Sequence, residues 1–503
     1  LALAACAGIF WPIALINVRT STGWFAMLAV DRRKNDFLYQ QVIDLIRMEI
    51  DSGALRPGDR LPSLRRLARN LDVSIPTVKQ AYEELERQGH VESRPQSGFY
   101  VLAKIRNALV RPPARASAGP VEVRCRNLVE QVYDGIHQPG VVPLGIANPS
   151  MAKPAAKALH RTMKRVMARA EQRSVGYAPV GGEPGLQRQV AFRYLDLGGA
   201  VRPQEVVVTN GCQEALALAL NAVARRGDVV AVESPTYSGT LELIESLGML
   251  ALEIETCPTE GLCLDALEHA LGQQSIRACV FSSSLNNPLG SATDDAHRQR
   301  LVELLESYRV PLIEDDVYGD LRFDGRRGKP AQFFSRRGLV LTAGSFSKTV
   351  APGYRIGWLL PGRFTDQVLK YKRAISYSSG LLQQLTLAEF MGSGEYDRHL
   401  RQLRPVLKVN CERMAALVAE HFPANTRISQ PVGGSVLWLE MASDFDSAAY
   451  FQQALDAGIS VAPGAVFSPG NRYRHFVRLS FGHPWGERLE QAVRTLGQLA
   501  ANQ

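Results

Sequence analysis

From about residue 131 to the C-terminus, short hydrophobic runs alternate with longer stretches of helical periodicity. A repeated strand–helix alternation folds into a mostly parallel, doubly wound sheet with helices on both faces. The clearest predicted strands are at 205–209, 228–233, 278–282, 310–314 and 339–343. Because ligands of such sheets bind at the carboxyl ends of the strands, the polar residues that follow these runs are the first candidates for a functional site.

A polar loop follows each of the five predicted strands. The first, Thr209-Asn-Gly-Cys-Gln, opens a helix, so Gly211 and the free amides of Cys212 and Gln213 form a site suited to a phosphate. Each loop alone is compatible with an ordinary turn, cap or surface side chain. Five of them in succession on one edge of a sheet predict a binding site. The polar candidates in the other four loops are Tyr237, Asn287, Asp315, Tyr318, Ser345, Ser347, Lys348 and Arg355.

Residues 39–102 show a different pattern, three short amphipathic helices followed by a strand pair. Ser74 is placed to cap the third helix, with Pro76 in its first turn. This order is that of a winged helix-turn-helix, although a tri-helical bundle can also be purely structural. The predicted elements are helices at 39–52, 63–71 and 74–89 and strands at 90–94 and 99–102.

Two features of this module favour DNA binding. Arginines at 60, 65, 66 and 69 precede the third helix, where they can neutralise phosphates. The string Gly53-Ala-Leu-Arg-Pro-Gly-Asp-Arg-Leu-Pro-Ser-Leu-Arg-Arg-Leu-Ala, followed by Val73-Ser-Ile-Pro-Thr-Val, resembles the GntR family of bacterial DNA-binding domains over about residues 37–102. Ile75 stands where that family usually has arginine, which predicts an altered base preference, such as contact with a thymine methyl. The resemblance implies DNA contacts at Arg65, Ser74, Thr77, Lys79 and Gly98.

The five polar loops together resemble those of the fold-type I pyridoxal-phosphate enzymes, the aspartate aminotransferase superfamily, over about residues 140–500. The resemblance implies a large doubly wound sheet domain plus a small α+β domain. It makes Lys348 the residue that attaches the cofactor and later transfers a proton, and Asp315 the partner of the pyridine nitrogen. Asn287 and Tyr318 would hydrogen-bond the phenolic oxygen, and Tyr237 would stack on the ring. The implied catalytic residues are Lys348, Asp315 and Tyr318.

The same resemblance implies residues for the phosphate and for a substrate. Tyr177, in Val-Gly-Tyr-Ala-Pro, matches a tyrosine that reaches the phosphate of the neighbouring subunit. Arg478, in Phe-Val-Arg-Leu-Ser-Phe-Gly, matches the arginine that grips a substrate α-carboxylate through a bidentate pair. The phosphate itself would be held by Gly211, Cys212, Gln213, Ser345, Ser347 and Arg355.

The combination of the two modules resembles the MocR subfamily of bacterial transcription regulators. It implies a cytoplasmic, pyridoxal-phosphate-dependent regulator that senses an amino acid or amine through an external aldimine. It also implies a head-to-tail homodimer that binds operators with paired half-sites. Two alternatives stay open: an active aminotransferase (half or full transaminase reaction) with an auxiliary DNA-binding module, and a regulator that senses pyridoxal phosphate itself. Arg478 favours an amino-carboxylate effector over the last of these.

Charge and cysteine content agree with this interpretation. Lys and Arg total 58 against 49 Asp and Glu, an excess of 9 that supports nucleic-acid binding only together with a DNA-binding motif. The 7 cysteines include no C-x-x-C pair, which argues against a disulfide framework or a zinc ribbon and favours a reducing cytosol. No metal site is predicted.

Residues 1–16 are strongly apolar, but no basic residue precedes them and Pro12 interrupts them. The run is also shorter than the ~20 residues of a membrane-spanning helix, so no membrane association is predicted. We expect residues 1–26 to be a non-native or disordered extension, with translation starting near Met27. The predicted domains are the DNA-binding module at 27–102, a basic linker at 103–127 and the cofactor-binding body at 128–503, with its small subdomain at about 380–503.

Overall fold

The computed structural model describes residues 37–51, 54–55, 58–87, 90–94, 97–101, 119–123, 127–151, 153–470 and 472–503. The chain divides into two compact units after residue 102. The proposed extension at 1–26 and most of the proposed linker lie outside the described residues. No helix in the described part of the chain is long and apolar enough to cross a membrane.

The described residues of the N-terminal unit form a winged helix-turn-helix. Its strand pair is antiparallel, with Val91 opposite Val101. The predicted order of elements is confirmed, and the helix ends differ from the predicted ones by one or two residues. The elements are α1 (Leu38–Asp51), α2 (Leu64–Asn70), α3 (Ile75–Arg87), β1 (Val91–Arg94) and β2 (Gly98–Val101).

The core of this unit comes from the apolar stripes of the three helices. The side chains of Val42, Leu67 and Val78 are completely buried there. Tyr82 of α3 is buried as well, and its hydroxyl donates to the carbonyl of Pro62 at 2.9 Å. Its ring meets the edge of Phe99 with 4.9 Å between centroids, so α3 is fixed to both the turn before α2 and the strand pair.

The C-terminal unit contains a large and a small sheet. Its strands are β3 (Val121–Glu122), β4 (Val142–Pro143), β5 (Val207–Thr209), β6 (Val229–Ser234), β7 (Leu250–Cys257), β8 (Gly261–Leu262), β9 (Ile276–Phe281), β10 (Leu312–Asp315), β11 (Val340–Ser345), β12 (Gly357–Leu360), β13 (Arg427–Ile428), β14 (Val436–Glu440), β15 (Ile459–Ser460), β16 (Ala462–Pro463) and β17 (Phe476–Ser480). Its helices are α4 (Asn127–His137), α5 (Lys153–Ala170), α6 (Pro184–Leu195), α7 (Cys212–Val223), α8 (Ser238–Ser246), α9 (Leu264–Gln273), α10 (Asp295–Tyr308), α11 (Thr365–Ile375), α12 (Leu381–Gly392), α13 (Glu395–His421), α14 (Ser447–Asp456) and α15 (Glu487–Ala501).

The large sheet has the strand order β3–β7–β6–β9–β10–β11–β12–β5. The five strands from β7 to β11 are parallel, whereas β12 runs antiparallel to both of its neighbours. One apolar cluster joins the sheet to α7, α8 and α11, and another joins it to α9 and α10. The mostly parallel, doubly wound architecture is therefore confirmed, and it brings the ends of β5, β6, β9, β10 and β11 to one edge.

The small sheet is antiparallel, in the order β13–β14–β17–β16. It shares a large apolar cluster with α13, α14 and α15. A segment from the start of the unit joins this region, because β4 pairs with β15 and the backbone N–H of Ser480 donates to the carbonyl of Leu144 at 2.8 Å. The small sheet therefore places β17 beside the carboxyl ends of the parallel strands of the large sheet.

Candidate functional site

A cavity of about 180 Å³ lies at the carboxyl edge of the large sheet. The loops after five strands meet there, together with β17 of the small sheet. The structure therefore brings together most of the residues that the sequence predicted for one site. Those that line the cavity are Cys212, Gln213, Tyr237, Asn287, Asp315, Tyr318, Ser345, Ser347, Lys348, Arg355 and Arg478.

The N-terminus of α7 forms one end of the cavity. Gly211 caps this helix with φ 80°, a left-handed conformation that favours glycine. A Cβ at this position would lie only 2.7 Å from Nη2 of Arg355, so glycine also makes room for the guanidinium. The positive end of the helix dipole and this guanidinium therefore lie at the same end of the cavity, where both attract an anion.

Two serines complete this end of the cavity. The Ser345 hydroxyl donates to Oγ of Ser347 at 2.9 Å and accepts from the Ser347 backbone N–H at 3.0 Å. Arg355 follows in a left-handed conformation with φ 51°, and its Nη2 donates to the carbonyl of Asn210 at 3.3 Å. Hydroxyl groups, a guanidinium and a helix N-terminus form a donor set that fits a phosphate.

Asp315, the last residue of β10, provides the carboxylate of the cavity. Its Oδ1 accepts from the backbone N–H of Val317 at 3.1 Å and from the Cys212 thiol at 3.5 Å. Burial raises the pKa of Asp315 to about 6, although the hydrogen bonds from Val317 and Cys212 oppose this shift. A buried carboxylate of this kind gains from pairing with a cation, such as a protonated ring nitrogen.

Lys348 stands beside Tyr318 in the same cavity, with Nζ 6.0 Å from the centre of the tyrosine ring. Burial lowers the pKa of Lys348 to about 8, and the nearby charge of Arg478 acts in the same direction. The neutral, nucleophilic amine is therefore much more abundant near neutral pH than for an exposed lysine. The Tyr318 hydroxyl donates to the carbonyl of Ala147 at 3.4 Å.

Arg478 lies on β17 and is almost fully buried. Its Nη1 donates to Oδ1 of Asn287 at 3.0 Å, and its Nη2 donates to the carbonyl of Gly145 at 2.5 Å. Its Nε has no hydrogen-bond partner among the described residues, and the guanidinium stacks 5.0 Å from the centre of the Phe467 ring. Burial lowers the pKa of Arg478. Because neutral groups hold this cation, its charge is available to a carboxylate that enters the cavity.

Two of the residues predicted for the cofactor and substrate site do not line the cavity. Gly211 lies behind the Arg355 guanidinium, as described above. Tyr177 is 87% exposed, and its ring meets the edge of Tyr377 with 5.6 Å between centroids. The predicted contact of Tyr177 with a neighbouring subunit stays a prediction.

Helix α4 supplies cavity residues that the sequence did not reveal. Val129, Val132 and Tyr133 all line the cavity. This helix precedes the first strand that the sequence predicted, at 205–209, and it carries no loop motif. Only the folded chain shows that α4 covers the cavity.

The predicted DNA contacts of the N-terminal unit lie on α2, on α3 with its cap, and on the strand pair. The hydroxyls of Ser74 and Thr77 lie 2.7 Å apart at the start of α3, where Ser74 also caps the helix by accepting from the Thr77 backbone N–H at 3.2 Å. Lys79 forms an exposed ion pair with Glu83 at 3.3 Å, which costs little to break. Ile75 is 45% exposed at the same helix end.

Arg65 and Gly98 complete this set. Arg65 lies exposed on α2. Gly98 opens β2 with φ 107°, and a Cβ there would lie 3.4 Å from Nε of Arg60. Arg60, which precedes α2, therefore lies beside the glycine of the strand pair, as a second cation that is suited to a DNA phosphate.

Comparison with known families gives two matches within the chain. Residues 139–496 match the aminotransferase class I and II family, and residues 38–101 match the gntR family of bacterial regulatory proteins. Among solved structures, α-aminoadipate aminotransferase LysN from Thermus thermophilus, complexed with N-(5'-phosphopyridoxyl)-L-leucine, is 25% identical with a TM-score of 0.67. The match covers 74% of this chain and 97% of that one. Aminotransferases of the matched family depend on pyridoxal phosphate.

Relatives match both units together. The uncharacterized HTH-type transcriptional regulator YjiR of Escherichia coli (strain K12) is 34% identical over 92% of this chain and 98% of its own. The regulator YdcR of the same organism, also uncharacterized, is 37% identical over the same shares. The probable rhizopine catabolism regulatory protein MocR of Rhizobium meliloti is 28% identical over 87% of this chain and 88% of its own. The chain therefore belongs to the aminotransferase class I and II family and, over most of its length, to the MocR-like HTH transcriptional regulators, which join a GntR domain to an aminotransferase-like domain.

Proposed function

We propose that this regulator holds pyridoxal phosphate on Lys348 and changes its binding to DNA when an amino acid or amine enters the same cavity. The observation that carries the proposal is the environment of Arg478. Its buried guanidinium shares the cavity with Lys348, and its Nε has no partner among the described residues. This is a recognition site for a carboxylate beside an amine nucleophile, and it favours an amino acid over an amine without a carboxylate.

The residues that line the cavity fit the cofactor. When bound, pyridoxal phosphate supplies an aldehyde that reacts with amines and a ring that withdraws electrons from the adjacent carbon. The phosphate would lie at the α7 N-terminus among Ser345, Ser347 and Arg355. Asp315 would hold a proton on the ring nitrogen, and the Lys348 amine would attach the aldehyde.

Three further side chains would orient the ring. Tyr237 is half-buried and lines the cavity, which suits stacking on the face of the ring. Asn287 and Tyr318 carry groups that would hydrogen-bond the phenolic oxygen. Because Asn287 also accepts from Arg478, a ligand that binds the arginine would act on this contact as well.

DNA binding is proposed for the exposed surface around α3, in a cytoplasmic protein. Arg65 and Lys79 would contact phosphates, Ser74 and Thr77 would approach the duplex at the N-terminus of α3, and Gly98 would let the strand pair approach it. We also propose a head-to-tail homodimer that reads paired half-sites. The exposed rings of Tyr177 and Tyr377 support it, since two tyrosines in edge-to-face contact on a surface are suited to an interface.

An aminotransferase is the second candidate function. A transaminase would need the same Lys348, Asp315 and Arg478, and the lowered pKa of Lys348, about 8, also suits a residue that moves protons. The two functions therefore differ in the course of the reaction and not in the residues required. Sensing of pyridoxal phosphate alone is a third candidate, for which the carboxylate site at Arg478 would have no use.

Absorption spectroscopy distinguishes these candidates. The purified protein, loaded with pyridoxal phosphate, would be titrated with a panel of amino acids, amines and keto acids. We expect one amino acid to shift the cofactor band and leave it shifted. Conversion to the pyridoxamine form, reversed by a keto acid, would instead establish a transaminase. A cofactor band that responds to no amino compound would contradict the proposed sensing and leave pyridoxal phosphate as the signal.

A further inference from the structure

A largely buried ion pair links the first turn of α7, next to the phosphate end of the cavity, to the last turn of α11. Lys372, in the last turn of α11, has no solvent exposure, and its Nζ lies 3.3 Å from Oε2 of Glu214 in the first turn of α7. Neither side chain lines the cavity. A buried pair of this kind contributes little net stability compared with apolar residues, so its presence beside a binding site requires another explanation.

Glu214 reaches Arg355 through one intermediate residue. Its Oε2 accepts from the backbone N–H of Asn210 at 2.5 Å, and its Oε1 accepts from the Asn210 side chain at 3.3 Å. The carbonyl of the same Asn210 accepts from Nη2 of Arg355. Glu214 therefore fixes the residue that orients the guanidinium, directly before the turn at Gly211.

The charge of Glu214 creates a conflict with this position. Hydrogen bonds from Ser376 and Asn210, together with the charge of Lys372, outweigh the effect of burial and hold the pKa of Glu214 below its ordinary value, so the carboxylate is ionised. An ionised carboxylate within one turn of an anion site repels the anion that the site must bind. Lys372 removes that repulsion by neutralising the carboxylate from the side that faces away from the cavity.

We propose that Glu214 and Lys372 are a pair of positioning residues for the cofactor phosphate: Glu214 orients Arg355 through Asn210, and Lys372 cancels the charge that Glu214 brings with it. This inference rests on the proposed function, because it requires a phosphate at the α7 N-terminus. It assigns a role to two residues that touch neither the cofactor nor a substrate.

The test compares pyridoxal phosphate with pyridoxal, which carries the same aldehyde and ring but no phosphate. Binding of each to the cofactor-free full chain would be titrated by absorbance for the wild type, Lys372→Met and the double variant Glu214→Gln/Lys372→Met. In Lys372→Met the carboxylate is left uncompensated, so we expect about a tenfold weaker affinity for pyridoxal phosphate and about the same affinity for pyridoxal. The double variant removes both charges and keeps an amide oxygen for Asn210, so it should recover most of the loss.

Glu205→Gln is the matched control, because Glu205 is also an acid in an ion pair, with Arg202, at a solvent-exposed position outside the cavity. It should bind both compounds as the wild type does. Equal losses for both compounds in Lys372→Met, no loss for pyridoxal phosphate, or no recovery in the double variant would each overturn the inference. A wild-type protein that binds neither compound covalently would instead contradict the proposed function itself.

Discussion

Nη1 of Arg478 donates to Oδ1 of Asn287 at 3.0 Å, and this bond joins a strand of the small sheet to a loop of the large sheet across the cavity. Each residue has a second proposed partner, a ligand carboxylate for the arginine and the phenolic oxygen of the cofactor for the asparagine. With these partners bound, ligand binding would be coupled to the relation between the two sheets through this hydrogen bond. A ligand can shift a conformational equilibrium only by such differential contacts.

Replacement of Arg478 should weaken the binding of amino acids but not that of amines without a carboxylate. In Arg478→Gln we expect amino acid affinity to fall by about 10- to 100-fold, while affinity for the corresponding amine without a carboxylate stays within about twofold, because a charge-assisted bidentate contact is lost only for the acid. Absorbance titration of the cofactor-loaded protein measures both. Arg474→Gln is the control, because Arg474 is close to Arg478 in sequence but forms an exposed ion pair with Asp446. Equal losses for acid and amine would show that Arg478 does not recognise the carboxylate.

The pH dependence of cofactor attachment should follow Lys348. Its neutral amine is the attacking form, so the attachment rate should rise with pH and level off above about 8, well below the ordinary value for lysine. Arg478→Gln removes a neighbouring cation and should move the midpoint to higher pH. Stopped-flow absorbance over pH 6 to about 10 measures the profile. Lys348→Ala should form no attached cofactor, and a persisting attached-cofactor band in that variant would refute the assignment.

Replacement of Asp315 should stabilise the cofactor-free protein but weaken its binding of the cofactor. Its folded pKa, about 6, lies above the ordinary value of 3.8, so the folded state binds more protons than the unfolded state between these values, and the contribution of Asp315 to stability is lost as pH rises through that window. Asp315→Asn should therefore raise the melting temperature of the cofactor-free protein at pH 7.5, with a gain that shrinks below pH 6 and vanishes near pH 4. The same variant should bind pyridoxal phosphate more weakly. A cofactor-loaded variant with an unchanged spectrum would count against the pairing of Asp315 with the ring nitrogen.

Alanine variants at Gly211 and Gly227 distinguish the effect of backbone strain from the effect of contact with Arg355. Both have positive φ, 80° and 85°, but a Cβ at Gly227 meets nothing within 4 Å whereas one at Gly211 meets Arg355. Both alanine variants should lose about 1 kcal/mol of stability from strain. Only Gly211→Ala should also weaken pyridoxal phosphate binding, by about tenfold or more, because the guanidinium must move. Equal cofactor affinities in the two variants would remove Arg355 from the phosphate site.

Arg65 tests the DNA surface. Arg65→Gln should weaken DNA binding about equally on all sequences and reduce the slope of log affinity against log salt by about one, as the loss of one phosphate contact requires. Fluorescence anisotropy with a labelled duplex at several salt concentrations gives the slope. Arg202→Gln, which removes an exposed arginine of the C-terminal unit, is the control. An unaltered slope in Arg65→Gln would exclude a phosphate contact.

Local sequence patterns predicted the sheet edge well but not what covers it. The strand that ends at Asp315 and the loop that contains Lys348 were predictable because a buried strand and the polar turn after it are contiguous in sequence. Tyr133 was not, since α4 reaches the cavity only through tertiary packing. Glu214 and Lys372 are 158 positions apart, and neither spacing nor periodicity relates such residues.

The small sheet shows the same limit. The sequence placed its subdomain at about 380–503, and the strands β13 to β17 lie there. The pairing of β4 with β15, however, brings Val142 beside Ile459, a contact that no local pattern encodes. Fold class follows from periodicity, whereas the walls of a cavity depend on which distant segments the packing brings together.

The most direct test of the account is the DNA affinity of the cofactor-loaded protein in the presence and absence of the amino acid that shifts its spectrum. An operator fragment selected with the protein from its own genome would serve as the probe, and Arg478→Gln would be measured beside the wild type. We predict that the amino acid changes the affinity of the wild type by about fivefold or more and leaves that of Arg478→Gln unchanged. An amino acid that occupies the cavity of the wild type without changing its affinity for DNA would contradict the account.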